Sequence, residues 1–193
     1  PTRKGCGLPA EGFVFCSFNN NYKYTPEMFA TWMAILRRVP GSVLWLLSDN
    51  PWAQANLQRE AAAHGLAPER LIFCERALPE QYLARYALAD LFLDTFPFNA
   101  GTTANDALWM GLPVLTLTGR SFAARMAGAL LTAAELPELI TYGRLPLMLM
   151  ENCIIRNRTS SCGCQNTNIL TDRKGARFPV VSAPGCRNEL LNS

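Results

Sequence analysis

The sequence predicts an α/β protein built on a doubly wound, Rossmann-like parallel sheet, and three observations predict it. From Gly12 onward, short β-rich apolar runs alternate with longer amphipathic stretches, the pattern of repeated βα units. Most of the short runs are apolar throughout, as strands covered on both faces by helices must be. The stretches between them carry helix start and stop signals.

The first strand is expected at Phe13 to Phe18. Thr25 can cap the helix that follows, with Pro26 at its first position, where a missing N–H costs nothing, and Glu27 in the first turn. Phe29, Trp32, Met33 and Leu36 then recur at helical spacing until Pro40. A strand over Ser42 to Leu47 leads to a helix from about Pro51 to His64, stopped by Gly65. A strand over Leu71 to Cys74 leads to a helix from Pro79 to about Leu88, and one over Leu91 to Asp94 to a helix over Thr103 to Met110, before Gly111. The last unit pairs Pro113 to Leu117 with Ser121 to about Ala133. After Ile140 neither period survives, so residues 1–140 read as one lobe and 141–193 as an atypical tail, poorly structured from Tyr142 onward.

At 193 residues and 49% hydrophobic content the chain can bury one core. Lys plus Arg exceed Asp plus Glu by 18 to 15, and a net charge of +3 gives only a weak attraction for anions with no basic tract, so no nucleic-acid partner is expected. Apolar stretches such as Val43 to Leu47 are too short to cross a bilayer, and no apolar segment follows the N-terminal Pro1-Thr2-Arg3-Lys4-Gly5, so a cytoplasmic protein without membrane contact is expected. The chain opens on Pro1, and a fragment lacking its upstream part is the expectation.

Of the seven cysteines, Cys16 and Cys74 sit in apolar runs and read as core thiols, four lie between Cys153 and Cys186, and Cys6 has no assigned role. Cys162-Gly163-Cys164 lacks paired C-x-x-C spacing and a nearby histidine, so no metal site is expected. His64, the single histidine, reads as a solvated residue at a helix end, which leaves no Ser-His-Asp or Cys-His set.

In a doubly wound sheet of strand order 3-2-1-4-5, a ligand sits between the loops after the first and fourth strands. Those loops begin after Phe18 and after Asp94. The first, Asn19-Asn20-Asn21-Tyr22-Lys23, offers three amides and a cation. The second ends in Gly101-Thr102-Thr103, where glycine permits close approach, a threonine can cap, and the N–H groups and dipole of a helix start favour an anion. Lys23 facing that helix start predicts a diphosphate, with Asp106 one turn on as acceptor for a ribose diol. Each residue also has a plainer reading: Asn turns serve their own backbone, threonine is only a cap, and Asp106 is a dipole partner. The first loop has no G-x-G-x-x-G and the chain no P-loop pattern, against a dinucleotide oxidoreductase or a P-loop kinase.

The segments FVFCSFNNNYKYTPEMFATWMAILRRVPGSVLWLL and LADLFLDTFPFNAGTTANDALWMGLPVLTLTG resemble the C-terminal catalytic lobe of the protein O-linked N-acetylglucosamine transferases and their bacterial relatives, over about residues 5 to 140. The resemblance implies a GT-B fold and an inverting glycosyltransferase. Its donor is UDP-GlcNAc, its acceptors are Ser or Thr hydroxyls of proteins, and it needs no metal or other cofactor. It also implies a missing N-terminal lobe, with tetratricopeptide repeats upstream.

Residue by residue, the resemblance makes Lys23 the diphosphate-binding and leaving-group-stabilising lysine. Asn20 stands where the family has Gln, and Gly101-Thr102-Thr103 where it has His-Thr-Thr. Asp106 is the ribose ligand. The uracil loop falls on Ala77 to Tyr82, with Pro79 and Tyr82 replacing the usual Lys and His, and Tyr82 able to stack on a ring. The family continues past Ile140 with amphipathic helices, whereas this tail is Cys-, Asn- and Arg-rich, as an altered reading frame or truncated gene would be. An enzyme fragment, a non-catalytic nucleotide-binding module and a flavodoxin-like or dinucleotide-binding domain are the readings to separate. Sugar transfer by a full-length chain discriminates the first two, and NAD or FMN binding would revive the third.

Overall fold

A computed structural model of the chain describes residues 1–143 and two further strands at 168–171 and 177–180. Its sheet has the order β3-β2-β1-β4-β5-β6, all parallel. The strands are β1 (Val14–Ser17), β2 (Val43–Leu47), β3 (Leu71–Cys74), β4 (Leu91–Leu93), β5 (Val114–Leu117) and β6 (Ile140–Thr141). Between them run α1 (Pro26–Arg38), α2 (Pro51–Ala63), α3 (Pro79–Arg85), α4 (Thr102–Trp109) and α5 (Met126–Ala133). The expected α/β class, five strands and five helices are all present, and the assumed order 3-2-1-4-5 is observed with β6 added beyond β5. β6 escapes a sequence reading because two residues show no period. It is held by the Thr118 N–H on the Thr141 carbonyl at 2.8 Å and the Thr141 hydroxyl on the Thr116 carbonyl at 2.8 Å.

Strand alternation explains why every run is apolar. Phe15, Leu44, Leu46, Leu91, Leu93 and Leu115 pack on one face with Met28, Phe29, Trp32, Met33, Ile35 and Leu36 of α1 and Ala61 of α2. Val14, Cys16, Trp45, Phe92 and Val114 pack on the other with Ala104 and Ala107 of α4 and Ala127 and Leu131 of α5. Each strand therefore needs hydrophobic side chains at both parities, which is the double winding written into the sequence.

The helix starts divide into two kinds. Thr25 accepts from the Met28 N–H at 3.2 Å and Asn50 from the Ala53 N–H at 2.7 Å, as caps followed by proline should. α4 has no side-chain cap: its N-cap is Gly101, the helix starts at Thr102, and the Thr103 hydroxyl is used elsewhere. The expected threonine cap is thus corrected. A Cβ at Gly101 would lie 2.6 Å from Cε of Met126, the flexible tip of a side chain at the start of α5, which would have to turn aside.

At the opposite, amino edge of the sheet, Arg3 grips the buried Asp90 carboxylate through Nη2 at 3.1 and 3.0 Å, and the Val14 N–H donates to it at 2.7 Å. Arg70 donates to the carbonyls of Leu36, Val39 and Ser42, neutralising the C-terminal end of α1. Cys16 is fully buried, and burial pushes its thiol well above the usual range and the Cys74 thiol up to about 11, in line with core thiols. His64 caps the C-terminus of α2, half-buried with its ring 6.5 Å from Phe29, rather than fully solvated.

The expectation for the tail concerns residues that, apart from 141–143, β7 (Asn168–Thr171) and β8 (Arg177–Val180), lie outside the described residues. β7 and β8 pair antiparallel. No described helix is long and apolar enough to cross a membrane.

Candidate functional site

The carboxyl ends of β1 and β4 lie side by side, Cys16 beside Phe92, so their loops face each other across the switch point of the sheet. A cleft of about 600 Å³ opens there. Asn20, Lys23, Ala77, Tyr82, Gly101, Thr102, Thr103 and Asp106 all line it. Every residue selected from the sequence is brought to one place, although they span three loops and two helices.

Lys23 ends a one-turn helix, Asn21–Lys23, that folds the first loop back over the sheet. Its Nζ donates to the Asn99 carbonyl at 3.1 Å and to Asn19 Oδ1 at 3.4 Å, and lies 4.1 Å from the centre of the Phe98 ring. An ammonium has three N–H donors, so two protein acceptors leave one for a ligand oxygen. Burial lowers the Lys23 pKa from its ordinary value, while nearby Tyr22 and Asp94 oppose that shift. The cation is held half-desolvated, where its field on a bound anion is stronger than in water.

Asn19 is the hub of this wall. It is 1% exposed, and its Oδ1 accepts from both Lys23 and the Thr103 hydroxyl, the latter at 2.9 Å. The β1 loop and the start of α4 are thereby locked together. Thr103 spends its hydroxyl on Asn19, and α4 presents its first-turn N–H groups to the cleft without a capping side chain.

The loop between β4 and α4 is shaped by Asp94. Its buried carboxylate accepts from the N–H groups of Thr95 and Ala100, both at 2.7 Å, and from the Thr116 hydroxyl at 2.6 Å. Burial pushes the Asp94 carboxyl up to about 7, with those three donors and Lys23 pulling the other way. Asn99 clamps the same loop through Nδ2 to the carbonyls of Thr95 and Leu117 at 2.8 and 3.2 Å.

Ala77 and Tyr82 line the cleft from the loop after β3 and from α3, and Asp106 lines it from α4, one turn beyond the helix start. Tyr82 packs 6.2 Å from Phe18 and edge-on to Tyr86 at 5.3 Å, and its hydroxyl meets that of Tyr86, which donates to the Thr103 carbonyl at 3.2 Å. Burial raises the Tyr82 pKa, and the Asp106 carboxylate adds to the rise. Tyr82 is thus partly committed to the core, its remaining surface lining the cleft. Asn20, counted from the sequence as an amide for the ligand, gives its Oδ1 to Arg76 Nη2 at 2.7 Å.

Asn19, Asp94, Asn99 and Arg76 were not singled out from the sequence. Nothing in Asn19-Asn20-Asn21 distinguishes a buried hub from its neighbours, and Arg76 acts on residues far away in the chain. Among the described residues no three His, Cys, Asp or Glu side chains gather as a metal set would.

Comparison with known proteins agrees with this geometry. Glycosyl transferase family 41 matches residues 1–148. A probable UDP-N-acetylglucosamine–peptide N-acetylglucosaminyltransferase of Arabidopsis thaliana, SEC, is 42% identical over 136 residues, which are 70% of this chain and 14% of that protein. A UDP-N-acetylglucosamine–peptide N-acetylglucosaminyltransferase of Caenorhabditis elegans is 39% identical over 137 residues, 71% of this chain and 12% of its own. The structure of a mutant O-GlcNAc transferase from Thermobaculum terrenum superposes with a TM-score of 0.71 at 34% identity, covering 75% of this chain and 28% of the other. A UDP-GlcNAc 2-epimerase of Neisseria meningitidis, at 10% identity and a TM-score of 0.57, shares the fold.

The chain belongs to glycosyl transferase family 41. The resemblance seen in its sequence is to the right family, and its fold is that of a Rossmann-like GT-B lobe. It spans less than a sixth of the length of the two curated relatives, 14% and 12%.

Proposed function

We propose that the cleft binds UDP-N-acetylglucosamine, and that the chain is the donor-binding half of an inverting enzyme that transfers N-acetylglucosamine to Ser and Thr hydroxyls of proteins. The observation that carries the reading is the convergence of Lys23, the uncapped start of α4 and Asp106 on one cleft at the switch point of the sheet. In transfer with inversion the acceptor oxygen attacks the anomeric carbon as its bond to the diphosphate breaks, and negative charge grows on the departing UDP. Lys23 and the N–H groups at Thr102 and Thr103 are placed to hold that charge, so no metal is required of this lobe. Asp106 accepts from the ribose diol, and Ala77 and Tyr82 border the base.

The acceptor proton has no evident receiver in the cleft. A further lobe supplying one, tetratricopeptide repeats ahead of it, a protein acceptor and a cytoplasmic setting all belong to this reading. Calorimetry of the chain with UDP, NAD and FMN tests it: UDP should bind in preference, and equal or tighter NAD binding would end it. A non-catalytic module binding the same nucleotide is the second reading. It is favoured by Gly101 standing where the resemblance expects histidine. Sugar transfer measured on a chain that includes the further lobe separates the two.

A further inference from the structure

Arg76 follows β3 and crosses the mouth of the cleft. Its Nη2 donates to Asn20 Oδ1 and to Asp49 Oδ1, each at 2.7 Å. Asp49 is in turn fixed to the first loop, its Oδ2 accepting from the Asn21 N–H at 3.3 Å. One guanidinium therefore ties together the carboxyl ends of β1, β2 and β3, on the side of the cleft away from α4.

The chemistry of arginine decides how Asn20 is turned. A guanidinium carries donors and no acceptor, so the atom of the Asn20 side chain that meets it must be the oxygen. The amide nitrogen, with both its protons, is left for the cleft that Asn20 lines beside Lys23. Without Arg76 the carboxamide can rotate and present its oxygen, which repels an anion. Asp49 serves the same end by holding Arg76 over Asn20 instead of letting it swing into solvent.

We infer that Arg76, held by Asp49, is a positioning residue that turns the Asn20 amide nitrogen toward the cleft as a hydrogen-bond donor for the phosphate oxygens of the nucleotide. The inference rests on the nucleotide reading of the cleft. Arg76 is 68% exposed, so water competes for its bonds and the effect is moderate.

The test uses the whole chain and two probes, UDP and uridine, by calorimetry, with Arg76→Met, Arg76→Lys, Asn20→Ala and the double variant Asn20→Ala/Arg76→Met. Arg76→Met should weaken UDP about fivefold and leave uridine unchanged, Arg76→Lys should restore most of the loss, and the double variant should bind no more weakly than Asn20→Ala. Losses that multiply in the double variant would show Arg76 acting on the ligand itself and overturn the inference. Equal losses of UDP and uridine would overturn it as well, since a merely structural defect spares neither.

A readout without ligand accompanies these. The side-chain amide protons of Asn20 should change chemical shift in Arg76→Met, and an unchanged resonance refutes the orientation. A wild-type chain that takes no UDP overturns the nucleotide reading and the ligand half of the inference together, while the amide shift still decides whether Arg76 orients Asn20.

Discussion

The wall of the cleft made by the loops after β1 and β4 is cross-linked by Asn19, Asp94 and Asn99, each at most 2% exposed, whereas the wall made by the loop after β3 and by α3 holds Ala77 and Tyr82 half-buried and Arg76 in solvent. The first wall meets charge and the second, in the proposed function, meets the base. A diphosphate needs donors at fixed points, because binding that grows toward the transition state depends on groups that need not reorganise. A base offers a broad apolar face, and a wall that adapts to it serves as well. The positions where the resemblance expects Lys and His but this chain has Pro79 and Tyr82 lie on the second wall. On the first, both threonines and the lysine are kept, although its helix start has Gly101 for the family's His and its β1 loop has Asn20 for the family's Gln. The departures from the family are therefore divided evenly between the two walls, and the charged and hydroxyl groups of the first are retained.

Breaking the rigid wall at its centre gives the largest expected effect. Asp94→Ala strands the N–H groups of Thr95 and Ala100 and the Thr116 hydroxyl, and buried donors left without partners cost about 1–3 kcal/mol each. Urea denaturation should show a loss of at least about 3 kcal/mol, with UDP affinity falling too because the loop that leads into α4 is released. A stable variant with an unaltered midpoint would mean that Asn99 alone shapes the loop.

Lys23→Ala comes next. A charge-assisted hydrogen bond contributes about 1.5–3 kcal/mol, so UDP should weaken roughly 10- to 100-fold while uridine, without phosphates, changes little. In an enzyme that includes the further lobe, kcat should fall more than KM rises, since leaving-group charge grows toward the transition state. Unchanged UDP affinity with a lowered Tm would leave Lys23 as a clamp on Asn99 and nothing more.

The Asp94 carboxyl also predicts a pH dependence confined to the rigid wall. Its pKa is pushed up to about 7 when folded, against an ordinary value of 3.8 when unfolded. Between those values the folded chain binds the extra proton, so stability falls as pH rises from about 4 to about 7 and is flat on either side. Asp94→Asn cannot titrate, and the stability difference between it and the wild type should narrow across that window. A difference independent of pH would show that the three donors outweigh burial and keep the carboxylate ionised.

What the sequence revealed, and what it hid, follows the same division between local and distant causes. Thr25-Pro26-Glu27 announces the start of α1 because cap, ring and charge all act within one turn. The parallel strands were legible because double winding demands hydrophobic residues at both parities. Gly101 lines the cleft as expected, but its second neighbour, Met126 of the next helix, was hidden because no local rule expresses a contact between helices. Asn19 and Asn20 look alike in the chain, yet one is a buried hub bonded to Thr103 and the other an exposed-edge amide turned by Arg76, and only the fold tells them apart. The Arg3–Asp90 pair was equally invisible, its partners lying 87 positions apart in the chain.

Asp106→Ala sharpens the comparison from α4, one turn beyond the helix start that meets the phosphates. It should weaken UDP and uridine alike, by about 1 kcal/mol for the hydrogen bond to the shared ribose, with stability nearly unchanged. A shifted Tm with unchanged affinities would make it a helix-dipole partner only.

The smallest effect is expected at Tyr82, and it decides whether the adaptable wall recognises its ligand by hydrogen bonding or by shape. Tyr82→Phe removes one hydroxyl from a chain in which Tyr86 still donates to the Thr103 carbonyl, so Tyr86 is left satisfied and the stability loss should stay within about 1 kcal/mol. The ring, packed on Phe18 and Tyr86, remains in place. If the wall recognises the base by its face, UDP and uridine should bind Tyr82→Phe as tightly as the wild type, while Tyr82→Ala, which removes the ring, weakens both by the same factor of about 2 to 10, the value of an aromatic contact. A Tyr82→Phe variant that loses affinity for both ligands as much as Tyr82→Ala does would place the recognition in the hydroxyl and make this wall a hydrogen-bonding site like its neighbour. Because both ligands carry the base and only one carries phosphate, that pairing of variants separates the two walls whatever the absolute affinities prove to be.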